Sequence, residues 1–137
     1  MIEAKENFDN TWPFKANFFS GNGFKQHYVD EGKENKKVIL CLHGEPTWGY
    51  IYRHFIRELS KDFRVVVPDL MGFGKSETPK NKEYSLKTHV ENLENLVNYL
   101  KLENIYFVGQ DWGGPILGAY TLRNLTNTKG MFLINTI

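Results

Sequence analysis

Ile105-Tyr106-Phe107-Val108-Gly109-Gln110-Asp111-Trp112-Gly113-Gly114 is the stretch on which the reading of this chain turns. Its first four residues are an unbroken apolar run, which predicts a strand buried on both faces. A helix is predicted to follow almost at once, from about Gly113 to Asn124. Between the two, Asp111 has small residues two positions before and two after it, Gly109 and Gly113, with Gly114 next. That spacing is a nucleophile elbow, a turn too tight for side chains at the flanking positions, and it lifts the central side chain above the sheet. An Asp that only caps the helix is the blander reading of the same turn.

Upstream, Val38–Leu42 is a second buried strand, and Phe63–Val67 a third that stops at Pro68. Trp48, Ile51, Tyr52, Phe55, Ile56 and Leu59 recur at helical steps behind Pro46, a residue tolerated at a helix start. From Ser85 to Lys101, Leu86, Val90, Leu93, Val97 and Leu100 form one stripe, with Thr88 and Glu91 as a capping box. Asn17–Ser20 and Phe24–Asp30 read as a hairpin turned by Gly21-Asn22-Gly23, and Met131–Ile134 as the last strand. Residues 1–16 are an irregular lead-in to one domain, 17–137. Strands alternating with amphipathic helices predict an α/β fold, a mostly parallel sheet with helices on both faces. Such sheets take ligands at the carboxyl ends of their strands, here at the loops 43–49, 69–79 and 109–114.

A chain of 137 residues, 41% apolar and 24% charged, is a single folded domain. Its formal charge of +1 carries no footprint for nucleic acid or an anionic membrane. Cys41 stands alone, so neither a disulfide nor a cysteine metal cluster is available, and its apolar neighbours make it a buried hydrophobe. With no apolar leader and no membrane-length run, the expected location is cytoplasmic. Gly72-Phe73-Gly74-Lys75-Ser76 ends like a phosphate-binding loop, but Asp69 stands where that motif needs glycine. Lys75 and Ser76 therefore read as solvated loop residues.

An Asp at the elbow, rather than Ser or Cys, selects the chemistry. A carboxylate attacking an acyl carbon gives only a mixed anhydride. Attacking an sp³ carbon, it gives an alkyl ester that water can cleave at the carbonyl, which points to alkyl halides or epoxides. Trp112 carries an indole N–H, a donor suited to a departing halide. Elbow enzymes draw one oxyanion N–H from the residue after the nucleophile and another from the loop that here reads His43-Gly44-Glu45, so the expected donors are the amides of Trp112 and Glu45. His43 precedes the nucleophile, whereas elbow enzymes place the base last, so it reads as structural. Carboxylate, donors and water suffice for this chemistry, so no cofactor and no metal are implied.

His43-Gly44-Glu45-Pro46-Thr47-Trp48, Pro68-Asp69-Leu70-Met71-Gly72-Phe73-Gly74-Lys75-Ser76 and Val108-Gly109-Gln110-Asp111-Trp112-Gly113-Gly114 together resemble the α/β-hydrolase fold and, within it, the haloalkane dehalogenases. The resemblance implies Asp111 as nucleophile, Trp112 as a halide-stabilising tryptophan and Glu45 as an oxyanion-loop residue, with His43, Gly44, Gly109 and Gly113 supporting the loops. It implies a small haloalkane as substrate. Epoxide hydrolase is the alternative within the fold, although those enzymes usually show His where this chain has Gln110 and an aromatic where it has Glu45. The resemblance also implies a later acid, a catalytic His and a helical cap. The 26 residues after Asp111 hold no Asp, Glu or His. The expectation is thus an amino-terminal portion, ending after about six strands and without a cap domain, that does not turn over by itself. Met131–Ile134 would then be an open apolar edge inviting self-association, and a non-catalytic binding or dimerising half-domain is the reading from another class.

Overall fold

In the computed structural model, which describes residues 1–137, the run Val38–Leu42 is strand β3, near the middle of a six-stranded sheet. The other strands are β1 (Asn17–Phe19), β2 (Gln26–Glu31), β4 (Arg64–Pro68), β5 (Ile105–Asp111) and β6 (Thr128–Thr136), in the spatial order β1-β2-β4-β3-β5-β6. β3 pairs in parallel with β4 and β5, and β5 with β6, while β1 and β2 form an antiparallel hairpin laid against β4. Three α-helices connect the parallel strands: α1 (Arg53–Leu59), α2 (Leu86–Tyr99) and α3 (Gly113–Arg123). The mostly parallel α/β sheet read from the sequence is the observed one.

Strand alternation divides the core. Val38, Leu40 and Leu42 point to one face, where they meet Val90, Leu93 and Val97 of α2 and Ile116, Leu117 and Tyr120 of α3. Ile39 and Cys41 point to the other, against Tyr52 and Ile56. All five β3 residues are buried, which is why the run carries no polar position. The lead-in has irregular backbone, yet Trp12 is 1% exposed and packs edge-on to Phe14 and against Trp48, each with ring centroids 4.9 Å apart. No helix is long and apolar enough to cross a membrane.

Several boundaries differ from the sequence reading. The stripe from Trp48 begins as a 3₁₀ turn over Gly49–Tyr52 and becomes α-helical only at Arg53. Ser85, not Thr88, caps α2, its hydroxyl accepting the Thr88 N–H at 3.3 Å. The last strand runs nine residues, well beyond Met131–Ile134, because pairing with β5 carries its backbone on in both directions. Lys75 and Ser76 are buried rather than solvated. The lead-in folds over their loop, and the Lys75 ammonium donates to the carbonyls of Ala4 (2.8 Å) and Glu6 (2.6 Å). Burial lowers the Lys75 pKa, against the pull of Asp69 and Glu6. The Ser76 hydroxyl donates to Asp69 O at 2.9 Å and accepts the His27 N–H at 2.9 Å.

Candidate active site

β5 ends at Asp111 and α3 starts at Gly113, so strand and helix are joined through a single residue, Trp112. Asp111 takes φ +52°, the left-handed region that a tight turn imposes on its central residue. Its side chain does not cap the helix. Trp112 occupies the cap position, and Asp111 Oδ2 instead accepts the backbone N–H of Glu45 at 2.9 Å. Oδ1 receives no hydrogen bond from the protein, and the residue is half-buried. From the other side, Thr136 Oγ1 donates to the Asp111 carbonyl at 2.8 Å, tying the elbow to β6.

Two glycines permit this geometry. A Cβ on Gly44 would run into Asp111 Oδ2 and stand 2.5 Å from the Trp112 nitrogen. One on Gly113 would run into the Leu42 carbonyl, where α3 lies directly on the end of β3. Gly109, also at the elbow, faces Leu117, whose Cδ1 would be 2.9 Å from an added Cβ. The structure therefore brings Gly44, Glu45, Asp111 and Trp112 together around one carboxylate. Trp112 is 40% exposed, so its ring is on the surface rather than in the core.

His43 lies beneath this loop and is fully buried. Its Nε2 accepts the Leu70 N–H at 2.9 Å, so the ring proton sits on Nδ1, which donates to Gly44 O at 2.8 Å. Both nitrogens are engaged, and the ring pins two loops together. Burial pushes its pKa below the ordinary histidine value, opposed by the Asp69 carboxylate and the Gly44 carbonyl. An unfolded histidine binds its proton at about pH 6.5. Between that value and the lower folded one the unfolded chain holds more protons, so this group's contribution to stability is intact above about pH 6.5 and is lost as the pH falls. We expect the melting temperature to decline as the pH falls below about 6.5, with the His43 ring resonance titrating below the midpoint of a free histidine. A His43 midpoint at or above about 6.5 would contradict the assignment.

A slot of about 90 Å³ opens beside Glu45 and Trp112, walled by Leu70, Leu86, Ile116 and His89. His89 escaped the sequence reading because it sits on α2, some twenty residues from the elbow, with nothing local to mark it. Burial lowers its pKa, with His43 adding to the effect, and its Nδ1 has no hydrogen-bond partner. Tyr84 lines the same slot and donates its hydroxyl to Pro79 O at 3.1 Å.

Residues 37–137 match the family model of the alpha/beta hydrolase fold. Haloalkane dehalogenase 2 of Mycobacterium tuberculosis is 39% identical over 125 residues, which cover 91% of this chain and 43% of that protein. The cis-3-alkyl-4-alkyloxetan-2-one decarboxylase of Shewanella oneidensis is 37% identical over 131 residues, covering 93% of this chain and 41% of that one. Among solved structures, the tetrameric haloalkane dehalogenase DpaA of Paraglaciecola agarilytica superposes with a TM-score of 0.87 at 37% identity, over 92% of this chain and 44% of that one. The chain thus spans less than half the length of these relatives. Sheet order, elbow and sequence match agree, and the chain belongs to the alpha/beta hydrolase fold family, of which it carries the amino-terminal portion.

Proposed function

We propose that the chain carries the displacement half of a haloalkane dehalogenase-like reaction, with Asp111 as nucleophile. The observation that carries this is the asymmetry of one carboxylate, Oδ2 held by the Glu45 N–H and Oδ1 left without a partner at the carboxyl end of β5. Oδ1 attacks the carbon bearing the halogen. The new C–O bond forms as the carbon–halogen bond breaks, and the halide leaves with the electron pair toward the Trp112 indole N–H. Oδ2 becomes the ester carbonyl. When water later adds to that carbonyl, the negative charge develops on Oδ2, where Glu45 N–H already points, a donor typically worth about 3 kcal/mol of barrier.

Activating that water requires a base. Residues 112–137 contain no Asp, Glu or His, and the one imidazole at the slot, His89, has no hydrogen-bond partner on Nδ1 to orient it. The 137-residue polypeptide should therefore accumulate the ester. Incubation with 1,2-dibromoethane should add one bromoethyl group by intact-mass analysis and release one equivalent of bromide. Continued release over many equivalents would overturn the single-turnover reading, and absence of any adduct would overturn the nucleophile.

Epoxide opening on the same elbow fits less well. The opened ring needs a proton, an indole N–H cannot usefully give one up, and the tyrosine at the slot, Tyr84, commits its own to Pro79. Self-association along β6 belongs to the same proposal. Phe132 and Leu133 are 64% and 46% exposed on a long edge strand whose only charge is Lys129, a pattern that invites strand pairing. Sedimentation velocity should show mass rising with concentration, and a monomer throughout would rule it out.

A further inference from the structure

The loop that offers Glu45 N–H to Asp111 is tied at both ends to one dipeptide. At its start, His43 Nε2 accepts the Leu70 N–H at 2.9 Å. At its end, the Gly49 N–H donates to Asp69 Oδ1 at 2.8 Å. The other carboxylate oxygen, Asp69 Oδ2, accepts the Lys75 N–H at 2.9 Å and lies 2.8 Å from His27 Nδ1. Donors from β2, from the loop after β3 and from the loop after β4 thus converge on one side chain, and Asp69 and His27 are both wholly buried.

This carboxylate has no room to swing. A Cβ on Gly49 would stand 2.9 Å from Oδ1, and one on Gly74 would run into Oδ2. Its backbone is held as well, N–H to His27 O at 2.9 Å and C=O by the Ser76 hydroxyl at 2.9 Å. The charge has a reason. Two backbone N–H groups and an imidazole nitrogen able to donate surround it, and only a carboxylate presents acceptors at both positions, whereas an amide would turn its NH₂ toward one of the donors. A buried carboxylate is otherwise a costly feature, retained where its geometry matters.

We propose that Asp69 is a positioning residue for the displacement: through Gly49 it sets the seat of the 43–49 loop, and so the line along which Glu45 N–H holds Asp111 Oδ2 and leaves Oδ1 facing the substrate. His27 is its orienting partner. The assignment rests on Asp111 being the nucleophile, and misplacing a reacting group by an ångström can cost on the order of 100-fold in rate.

The test is Asp69→Asn in the full chain, read in two ways. With 1,2-dibromoethane, the maximal alkylation rate should fall about 10- to 100-fold while the half-saturating concentration changes little. Without any haloalkane, the Glu45 amide proton resonance should move as its bond to Asp111 lengthens, with the circular dichroism spectrum unchanged. If Asp69→Asn does not fold, Gly49→Ala, whose methyl presses on Oδ1, is read the same way. A folded variant with an unmoved Glu45 resonance and an unchanged maximal rate overturns the proposal. Loss of folding in both variants also overturns it, by assigning Asp69 to stability alone. A wild-type chain that takes up no alkyl group would refute Asp111 as nucleophile, while the Glu45 resonance would still decide whether Asp69 seats the loop.

Discussion

Asp111→Asn should abolish the covalent adduct while leaving the fold intact, the largest functional effect expected of any single change here. Asparagine is among the few residues that adopt positive φ readily, so the +52° of position 111 is no obstacle. Its amide oxygen can keep the Glu45 N–H that now reaches Oδ2. What disappears is the negative charge, and with it nucleophilicity toward an sp³ carbon. Alkylation should fall by more than about 1,000-fold, as when other covalent nucleophiles are removed. Peptide mapping of the alkylated wild type should place the added mass on Asp111. Cys41 is no competitor, since burial pushes its thiol pKa up and leaves it inert. An adduct forming on the Asn variant at the wild-type rate would show that the reactive group lies elsewhere.

The second large effect is on stability. Gly113→Ala places a methyl against the carbonyl of Leu42 and within 3.1 Å of the carbonyl of His43. These are backbone atoms of the central strand and of the loop that carries Glu45, so relief requires α3 to lift off the sheet or the loop to shift. A clash of this kind costs about 3 kcal/mol, which for a chain of this size lowers the melting temperature by on the order of 10 °C. Gly118→Ala is the internal comparison. It lies on the same helix, and nothing stands within 4 Å of its added Cβ. There the helix gains the propensity of alanine, about 0.5–1 kcal/mol in the stabilising direction. If both variants melted together, close packing of α3 on β3 would not be what demands glycine at the elbow.

Much of this site was legible in advance because its signals are local. The elbow is a run of six residues with steric requirements in fixed order, and a tight turn with a side chain at its apex is what Gly109, Asp111 and Gly113 form. The amides of Glu45 and Trp112 were expected as oxyanion donors for ester hydrolysis. In the free chain the Glu45 amide donates to Asp111 Oδ2, and the Trp112 amide makes no hydrogen bond to that carboxylate. His43 was expected to be structural, and both its nitrogens are spent holding loops together.

Lys75, Ser76, Asp69 and His27 were not legible, because their neighbours in space are far away in the chain. Polar residues in a loop rich in glycine carry no local mark of burial. Lys75 is inside only because the carbonyls of Ala4 and Glu6 come to it across about seventy residues. Asp69 looks like an ordinary turn residue until β2 delivers His27 and the first loop delivers the Gly49 N–H.

The amino-acid order by itself determined the strand and helix sequence, the two-faced burial of β3 and the apex at Asp111, since each follows from side-chain periodicity or from the room a turn allows. Only the tertiary structure decided which oxygen of Asp111 is held and which is free, where the lead-in lies, and what fixes the loop opposite. Those depend on donors and acceptors that meet only after the sheet has assembled, and an unpaired polar group costs too much inside a protein for such meetings to be left to chance.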